Sequence, residues 1–525
     1  MPEQENTAQA PFLGRKRIYT SEKQIDLGNV ESVLTKALAT HAHNSRQANY
    51  LWNYYKGRQP VLDRVKETRP EICNKVVENH AQECVRFKVG YQFAEPIQYV
   101  PRSAEDDDPD GHEEAENRLV NQVRLLNDLL HESNKASLDR DLFEWMCVCG
   151  VGYRMVRAVP EEERPDGGAP FAIYTADPRC CFVIRSSEYH HRVMAGVWIG
   201  YEEETGETFY TVYTDSEVLY TRRPSDGPSK WESEPNPNGV VIFEYELNSD
   251  RMGVFEPALP LLDAINTIVS NRIDGVEQNI QALTVFDNVD IDEEKYDLMK
   301  EKGAIKTRSY EGCQGRVYNL EYSNDQTQTQ VTKQDLYDAF ANIVGIPNMT
   351  NKTGSTSDTG TAVLLRDGWT LAESHAKSYE LKWKTAERPV LSLILDICRT
   401  QSDERIDLRP RDVDMNFNRR NYENTLVKAQ TLTTMLSESR IDPELAFEVC
   451  GLFTDPTSAY LQSKAHYEEE SERAAQAAPP IAGPLDAQVD GQSAQGDGQN
   501  AHNDAVGKVS AANRIAQQTG VHPRA

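Results

Sequence analysis

Between Gly152 and about Glu246 the large apolar residues stop recurring every three or four positions and begin to alternate. The runs GYRMVRAV, FAIYTAD, CCFVIRSS, RVMAGVWIGYEE, ETFYTVYTDSEVLYTRR and GVVIFEYEL are short and rich in Val, Ile, Tyr and Phe. Turn residues separate them, which predicts a mostly antiparallel strand region. Helical spacing precedes it. Val30, Val33, Leu34, Ala37 and Leu38 make one stripe, Gly57 and Pro60 break it, and NKVVENHAQECVRFKVG predicts a further helix ending near Gly90. Leu119–Leu130 and Ala136–Val148 are helical again. The chain therefore reads as α+β, with helices on either side of the strands in sequence.

After Pro257 a long helix is predicted, with Leu261, Leu262, Ile265, Ile268, Val269, Val276 and Ile280 as its apolar stripe. Asp263, Asn266, Asn271, Asp274 and Gln278 fall largely off that stripe. Residues 283–330 are mixed and strand-like, and KQDLYDAFANIV predicts a shorter helix closed by Gly345 and Pro347. GIPNMTNKTGSTSDTGTA follows, and directly behind it one of the longest helical patterns in the chain, with a kink expected at Pro389. Asp442-Pro443 and Asp455-Pro456 each offer an N-cap with proline at the first helical position. Residues 1 to about 25 read as a loose arm. Beyond about Ala474 the chain is too poor in large apolar groups to offset ordering entropy, so a disordered tail is expected.

Acidic residues outnumber basic ones, 83 to 56, for a formal charge of −27. That balance argues against a protein that grips nucleic acid, but not against one that DNA passes without sticking. Neither an apolar leader in MPEQENTAQAPFLGRKRIYT nor a run of bilayer length is present, so a soluble intracellular product is expected. Cys147-Val148-Cys149 and Cys180-Cys181 do not match a zinc pattern, and reduced buried thiols are expected. EDDDPDGHEEAE (105–116) reads as a solvated loop or disordered insert rather than a cation site, because its carboxylates lack fixed spacing.

The glycine- and hydroxyl-rich loop before a helix invites comparison with a phosphate cradle. A P-loop requires G-x-x-x-x-G-K-[ST], whereas Gly354 and Gly360 have the wrong spacing and Lys352 precedes both. GVGY at 150–153 lacks a third glycine and leads into a strand. His190-His191 on a strand would point to opposite faces. Asp287, Asp290 and Asp292 lack the glycine and terminal glutamate of a calcium loop. No hydrolase, zincin or kinase motif occurs, so no catalytic residue, metal ligand or cofactor is expected. An enzyme with scattered catalytic groups, such as a metal-dependent hydrolase, stays open on the residues alone.

The order of parts resembles the portal proteins of tailed double-stranded-DNA bacteriophages, siphophage type, over roughly residues 45–470. NYYKGRQPV followed by NKVVENHAQECVRFKVGYQFAEPIQY is similar to that family's early segment. VVIFEYELNSDRMGVFEPALPLLDAINTIVSNRIDGVEQ resembles the approach to its stem, and DLYDAFANIVGIPNMT…GSTSDTGTAVLLRD its second stem helix, tunnel loop and long helix. Thr359-Gly360-Thr361-Ala362 stands where the family often has a Gly-x-x-Ser-Gly-x-Ala cluster.

The resemblance implies a ring-forming portal fold with a wing, a long-helix stem, a small α/β clip and a helical crown. In this chain they would be a 1–25 flexible arm, a 26–255 wing, a first stem helix at 256–282 and a clip at 283–332. A second stem helix at 333–344, a tunnel loop at 345–360, a long wing helix and strand at 361–417, a crown at 418–473 and a 474–525 tail would follow. It further implies a homo-oligomeric ring of about twelve copies at one capsid vertex of the virion, assembled in the host cytoplasm. Its partners would be the terminase large subunit, a head-completion or adaptor protein, major capsid and scaffolding proteins, and double-stranded DNA passing through, with no membrane and no cofactor. Asn348, Thr350, Asn351, Lys352, Thr353, Ser355, Thr356, Ser357 and Asp358 would be the DNA-facing collar, with Asp358 or Thr359 also open to an N-cap role. Asp263, Asn266, Asn271, Asp274 and Gln278 would line the channel, and the apolar stripe would pack on neighbouring subunits. Another capsid or connector component is the structural alternative.

Overall fold

The computed structural model describes residues 14–102, 112–164, 168–204, 206–223, 230–280, 284–287, 315–319, 326–347, 368–401, 406–419, 425–453 and 456–477, with isolated positions between 288 and 298. They fall into two units, up to Ser463 and from Lys464.

Helix α1 (Val30–Tyr55) buries Val30, Val33, Leu34 and Ala37 of the stripe read from its sequence and half-buries Leu38, and at Gly57 the chain turns with φ +92° into a 3₁₀ turn at Pro60–Asp63. Helix α2 (His80–Gln92) starts later than its apolar pattern suggests. Asn79 caps it, accepting from Gln82 N–H, while residues 64–79 stay non-helical, with the Asn74, Val76 and Glu78 N–H groups bound to side chains elsewhere. Helices α3 (His112–Glu132) and α4 (Lys135–Cys149) follow, and α4 ends at Gly150.

Gly150 holds φ +77°, and a Cβ there would lie 2.2 Å from the Arg251 carbonyl oxygen. Gly150→Ala combines left-handed strain with a backbone clash, so a loss of about 3 kcal/mol or more is expected in urea unfolding. A variant within 1 kcal/mol of wild type, on the scale of an ordinary surface change, would show that the 150 and 251 backbones separate easily.

The strands are β1 (Ile18–Thr20), β2 (Gln98–Pro101), β3 (Val151–Ala158), β4 (Phe171–Ala176), β5 (Cys181–Ser186), β6 (Val193–Tyr201), β7 (Thr208–Thr214), β8 (Glu217–Arg223), β9 (Lys230–Pro235) and β10 (Ile242–Glu246). One sheet has the order β1-β5-β6-β7-β8-β9 and a second β10-β3-β4. All pairs are antiparallel except β1 with β5. Two features depart from the sequence reading. KWESEP (β9) forms the outer strand of its sheet although its charges hide the alternation. Residues 14–25, expected within a loose arm, are built in: β1 adds to the sheet, Ile18 and Ile25 are buried, and Arg15 pairs with Glu256 where both are sealed from water.

Helix α5 (Leu259–Ile280) follows a 3₁₀ turn at Glu256–Ala258, and α6 (Gln326–Val344) begins seven residues ahead of the expected 333. Between them the described strands β11 (Thr284–Asp287) and β12 (Arg316–Asn319) form an antiparallel ribbon. Helix α7 (Trp369–Gln401) contains Pro389, and β13 (Val413–Asn416) pairs with β2. Helices α8 (Thr425–Leu436), α9 (Pro443–Cys450) and α10 (Pro456–Ala477) are the three expected near the end. Asp442 caps α9 by accepting from Glu444 N–H at 2.9 Å, whereas Asp455 lies outside the described residues. Residues 105–111 of the acidic stretch and the tail from 478 also lie outside, while α3 starts within the stretch at His112. No helix among the described residues is long and apolar enough to cross a membrane.

Two cores result. The first half of α1 packs on the six-stranded sheet through Val30, Leu34, Phe182, Val197 and Val212. The other joins α1, α2, α4, α6 and α7 through Leu51, Tyr54, Phe143, Phe340, Trp383 and Ile394. Within it lies a sealed ionic cluster. Arg154 of β3 pairs with Asp139 of α4 and, at 3.0 Å, with Glu387 of α7, while Lys135 reaches Asp139 at 2.8 Å and Glu387 at 3.1 Å. The Tyr99 and Tyr245 hydroxyls donate to the same Glu387 carboxylate. Cys84, Cys147, Cys149, Cys181, Cys398 and Cys450 are buried free thiols, Cys73 is half-buried and Cys180 is exposed.

Candidate stem face and loop root

Helices α5 and α6 lie antiparallel: Arg272 donates to Gln330 at one end, and the Glu256–Ala258 turn meets α6 at the other. A strap, residues 59–79, fastens the pair to the body. Asn74 N–H donates to Asp274 Oδ1 at 2.7 Å, Val76 N–H to Ser270 Oγ at 3.0 Å and Glu78 N–H to Asn266 Oδ1 at 2.8 Å. Every second residue of an extended chain thus meets every fourth residue of a helix. The spacings match, because two extended residues rise about 6.6 Å and four helical residues about 6 Å. These bonds explain why Asn74–Asn79 does not join α2: its donors are committed to α5 side chains.

Side chains tighten the ladder. Arg64 and Lys66 reach Asp274 at 3.0 and 3.1 Å, Asn74 Nδ2 donates to Glu277 at 2.8 Å, and Gln59 bonds Asn266. Burial acts to raise the Asp274 pKa, but the bonds from Asn74 and Lys66 and the charge of Arg64 outweigh it and hold it below its ordinary value. On α6, Lys333 reaches Glu78 at 2.6 Å and the Tyr337 hydroxyl donates to Glu83 at 2.9 Å. His80 sits between Glu78 and Glu83; burial lowers its pKa, yet those two carboxylates raise it further, to a value above the ordinary one.

This geometry corrects the expected channel face. Asn266 and Asp274 are buried rungs of the ladder and do not face a channel; small polar acceptors four apart on one helix were the signal that marked them. Asp263 is half-buried and accepts from the Tyr54 hydroxyl at 2.9 Å, which counters the rise in its pKa caused by burial. Asn271 and Gln278 are exposed, with Asn271 accepting from Arg64. The apolar stripe is divided as well. Leu262 and Ile265 are buried in the chain's own core and are not free for a neighbour. Leu261, Ile268 and Val269 are half-buried, Val276 is exposed, and the Ile280 side chain lies outside the described residues. Among the described residues, the large apolar groups most open to solvent are Ile273 and Val276 on α5 and Val331 and Ile343 on α6, between 40% and 55% exposed.

Asn348, Thr350, Asn351, Lys352, Thr353, Ser355, Thr356, Ser357 and Asp358 all lie outside the described residues. Their two roots are well defined. Gly345 turns the end of α6 with φ +66°, and Ile346 N–H reaches back to the Ala341 carbonyl at 2.9 Å, as in a Schellman cap. Gly368 opens α7 with φ +82°, and a Cβ on it would meet Pro347 Cα at 3.7 Å, so the roots stand side by side. No group of three or more His, Cys, Asp or Glu suited to a metal occurs among the described residues.

Two comparisons bear on this arrangement. A search of curated proteins finds no match. The family model described as phage portal protein, SPP1 Gp6-like, matches residues 35–477, from α1 through α10. That span contains the strap, helices α5 and α6 and both loop roots, and the chain belongs to this phage portal protein family.

Proposed function

We propose that copies of this chain close head-to-tail into a ring of about twelve at the capsid portal vertex, with α5 and α6 lining a DNA channel. The observation that carries the reading is the pair of stem helices. They are stapled to their own wing by a polar ladder, yet leave Ile273, Val276, Val331 and Ile343 in solvent. Rows of exposed apolar side chains on two rigid helices suit burial against neighbouring copies. Asn271 and Gln278 are the channel-facing residues in this reading, with Asp263 beside them. An overall charge of −27 favours passage of DNA over adhesion, because it repels phosphates instead of releasing their counterions.

Residues 348–360 form the collar that touches the duplex backbone in passing. The segment 283–332 docks terminase during packaging and an adaptor protein afterwards, the crown from 418 faces the capsid interior, and the same channel retains and later ejects the genome. Negative-stain images of the purified protein are expected to show rings with a central hole. Deleting 351–357 should preserve those rings and lower terminase-driven packaging in vitro. Single-copy particles would overturn the ring, and unimpaired packaging by the deletion variant would overturn the collar.

A further inference from the structure

Helix α2 grips both roots of the 348–367 segment, and one grip is a buried ammonium. At the first root Lys88 Nζ donates to the Gly345 carbonyl at 2.9 Å. At the second, the Tyr91 hydroxyl donates to Glu373 at 2.7 Å, and the rings of Phe87 and Tyr91 stand 6.0 and 5.9 Å from Trp369. His375 joins the two: its Nδ1 is 3.5 Å from Lys88 Nζ, and a Cβ on Gly345 would meet the same nitrogen at 2.7 Å.

Lys88 is buried with no carboxylate partner among the described residues. The carbonyl end of α6 and the face of the Tyr379 ring, 5.9 Å away, meet its charge instead. The other titratable groups facing it are the Cys84 thiol of α2 and the Cys147 thiol of α4. Glu373 of α7 is occupied by Tyr91 and by Arg419 at 2.8 Å. Glu83 of α2 and Glu144 of α4 act on the Cys84 and Cys147 thiols, and His375 itself meets the Val344 carbonyl at the end of α6, which offsets only part of the fall in its pKa.

We propose that Lys88 and His375 form a proton-sensitive clasp on the loop root, in which neutral His375 offers Nδ1 to the Lys88 ammonium and protonated His375 sets a second cation against it. Lys88 is then a positioning residue for the loop. Burial and, after it, the neighbouring ammonium lower the His375 pKa from its ordinary 6.5. The open state therefore takes up a proton first; the clasp holds fully above pH 6.5 and weakens as pH falls below it. The consequence for DNA rests on the collar reading above, whereas the clasp does not.

Hydrogen exchange by mass spectrometry on the full-length protein tests it, comparing wild type, Lys88→Met and His375→Gln at pH 7.5 and 5.5. At pH 7.5, Lys88→Met should speed exchange of amides 343–346 and 368–372 by about tenfold while α1 and β5–β7 stay protected. After correction for the chemical exchange rate, wild type should loosen at the same amides at pH 5.5, and His375→Gln should not. Equal protection in Lys88→Met and wild type, or equal pH response in wild type and His375→Gln, overturns the clasp. Loosened roots with normal packaging in Lys88→Met would support the clasp and remove the collar's role in handling DNA.

Discussion

Glu387→Gln is expected to cost about 3–5 kcal/mol of stability, read from the urea midpoint of the purified protein. The cluster balances two carboxylates, Asp139 and Glu387, against Lys135 and Arg154, all sealed from water. Removing the charge of Glu387 leaves the pair of cations facing one carboxylate and weakens the bonds accepted from Tyr99 and Tyr245. The cluster joins α4, β3, β10 and α7, so its loss separates the long helix from both the strands and the helical layer. A midpoint within 1 kcal/mol of wild type would show that the four charges only offset their own desolvation.

The same carboxylate carries a pH signature. Burial acts to raise the Glu387 pKa, but Lys135, Arg154 and the Tyr245 hydroxyl outweigh it and hold it at about 2. Glu244, between Arg251 and Arg185, is likewise held at about 2. An unfolded chain takes up these protons near pH 4.5, before the folded one does. Stability from both sites is therefore present above pH 4.5 and is lost progressively as pH falls toward 2.

The second large effect is local. Asp274→Ala removes the acceptor of Asn74 N–H and the shared partner of Arg64 and Lys66, leaving a backbone donor and two cations without it. Loss of such a charged acceptor costs about 2–3 kcal/mol, concentrated in the strap. Trypsin cleavage at Lys66 and Lys75 should accelerate by at least about tenfold, with strands β5–β7 still protected. Asp274→Asn, which keeps an acceptor oxygen, should fall between. Unchanged cleavage in Asp274→Ala would mean that Ser270 and Asn266 hold the strap without it.

Much of the architecture could be read from local pattern. Val30 to Ala37, the alternating runs from 152 to 246, and Asp442-Pro443 each carry their signal within a few residues, so α1, most of the strands and α9 stand where expected. Periodicity also located helices α5 and α6, because an apolar face must repeat at the helical period wherever it is buried. The portal family, too, was legible in the order of segments, and the match over 35–477 bears it out.

Which face of α5 meets which neighbour was not legible. Asn266, Ser270 and Asp274 look on a helical wheel like a solvent or channel face. They are buried only because a strap some 200 residues earlier in sequence lays its N–H groups against them. The ionic cluster has the same origin, since Arg154 and Glu387 lie 233 positions apart and each alone reads as a surface charge. β1 was missed because three residues carry too little alternation to mark a strand, and its pairing with β5 supplies the hydrogen bonds that make it one. Spacing along a chain reports how a segment presents its side chains. What a polar side chain meets depends on long-range partners, and in a low-dielectric interior those partners set whether a charge is an anchor or a surface ornament.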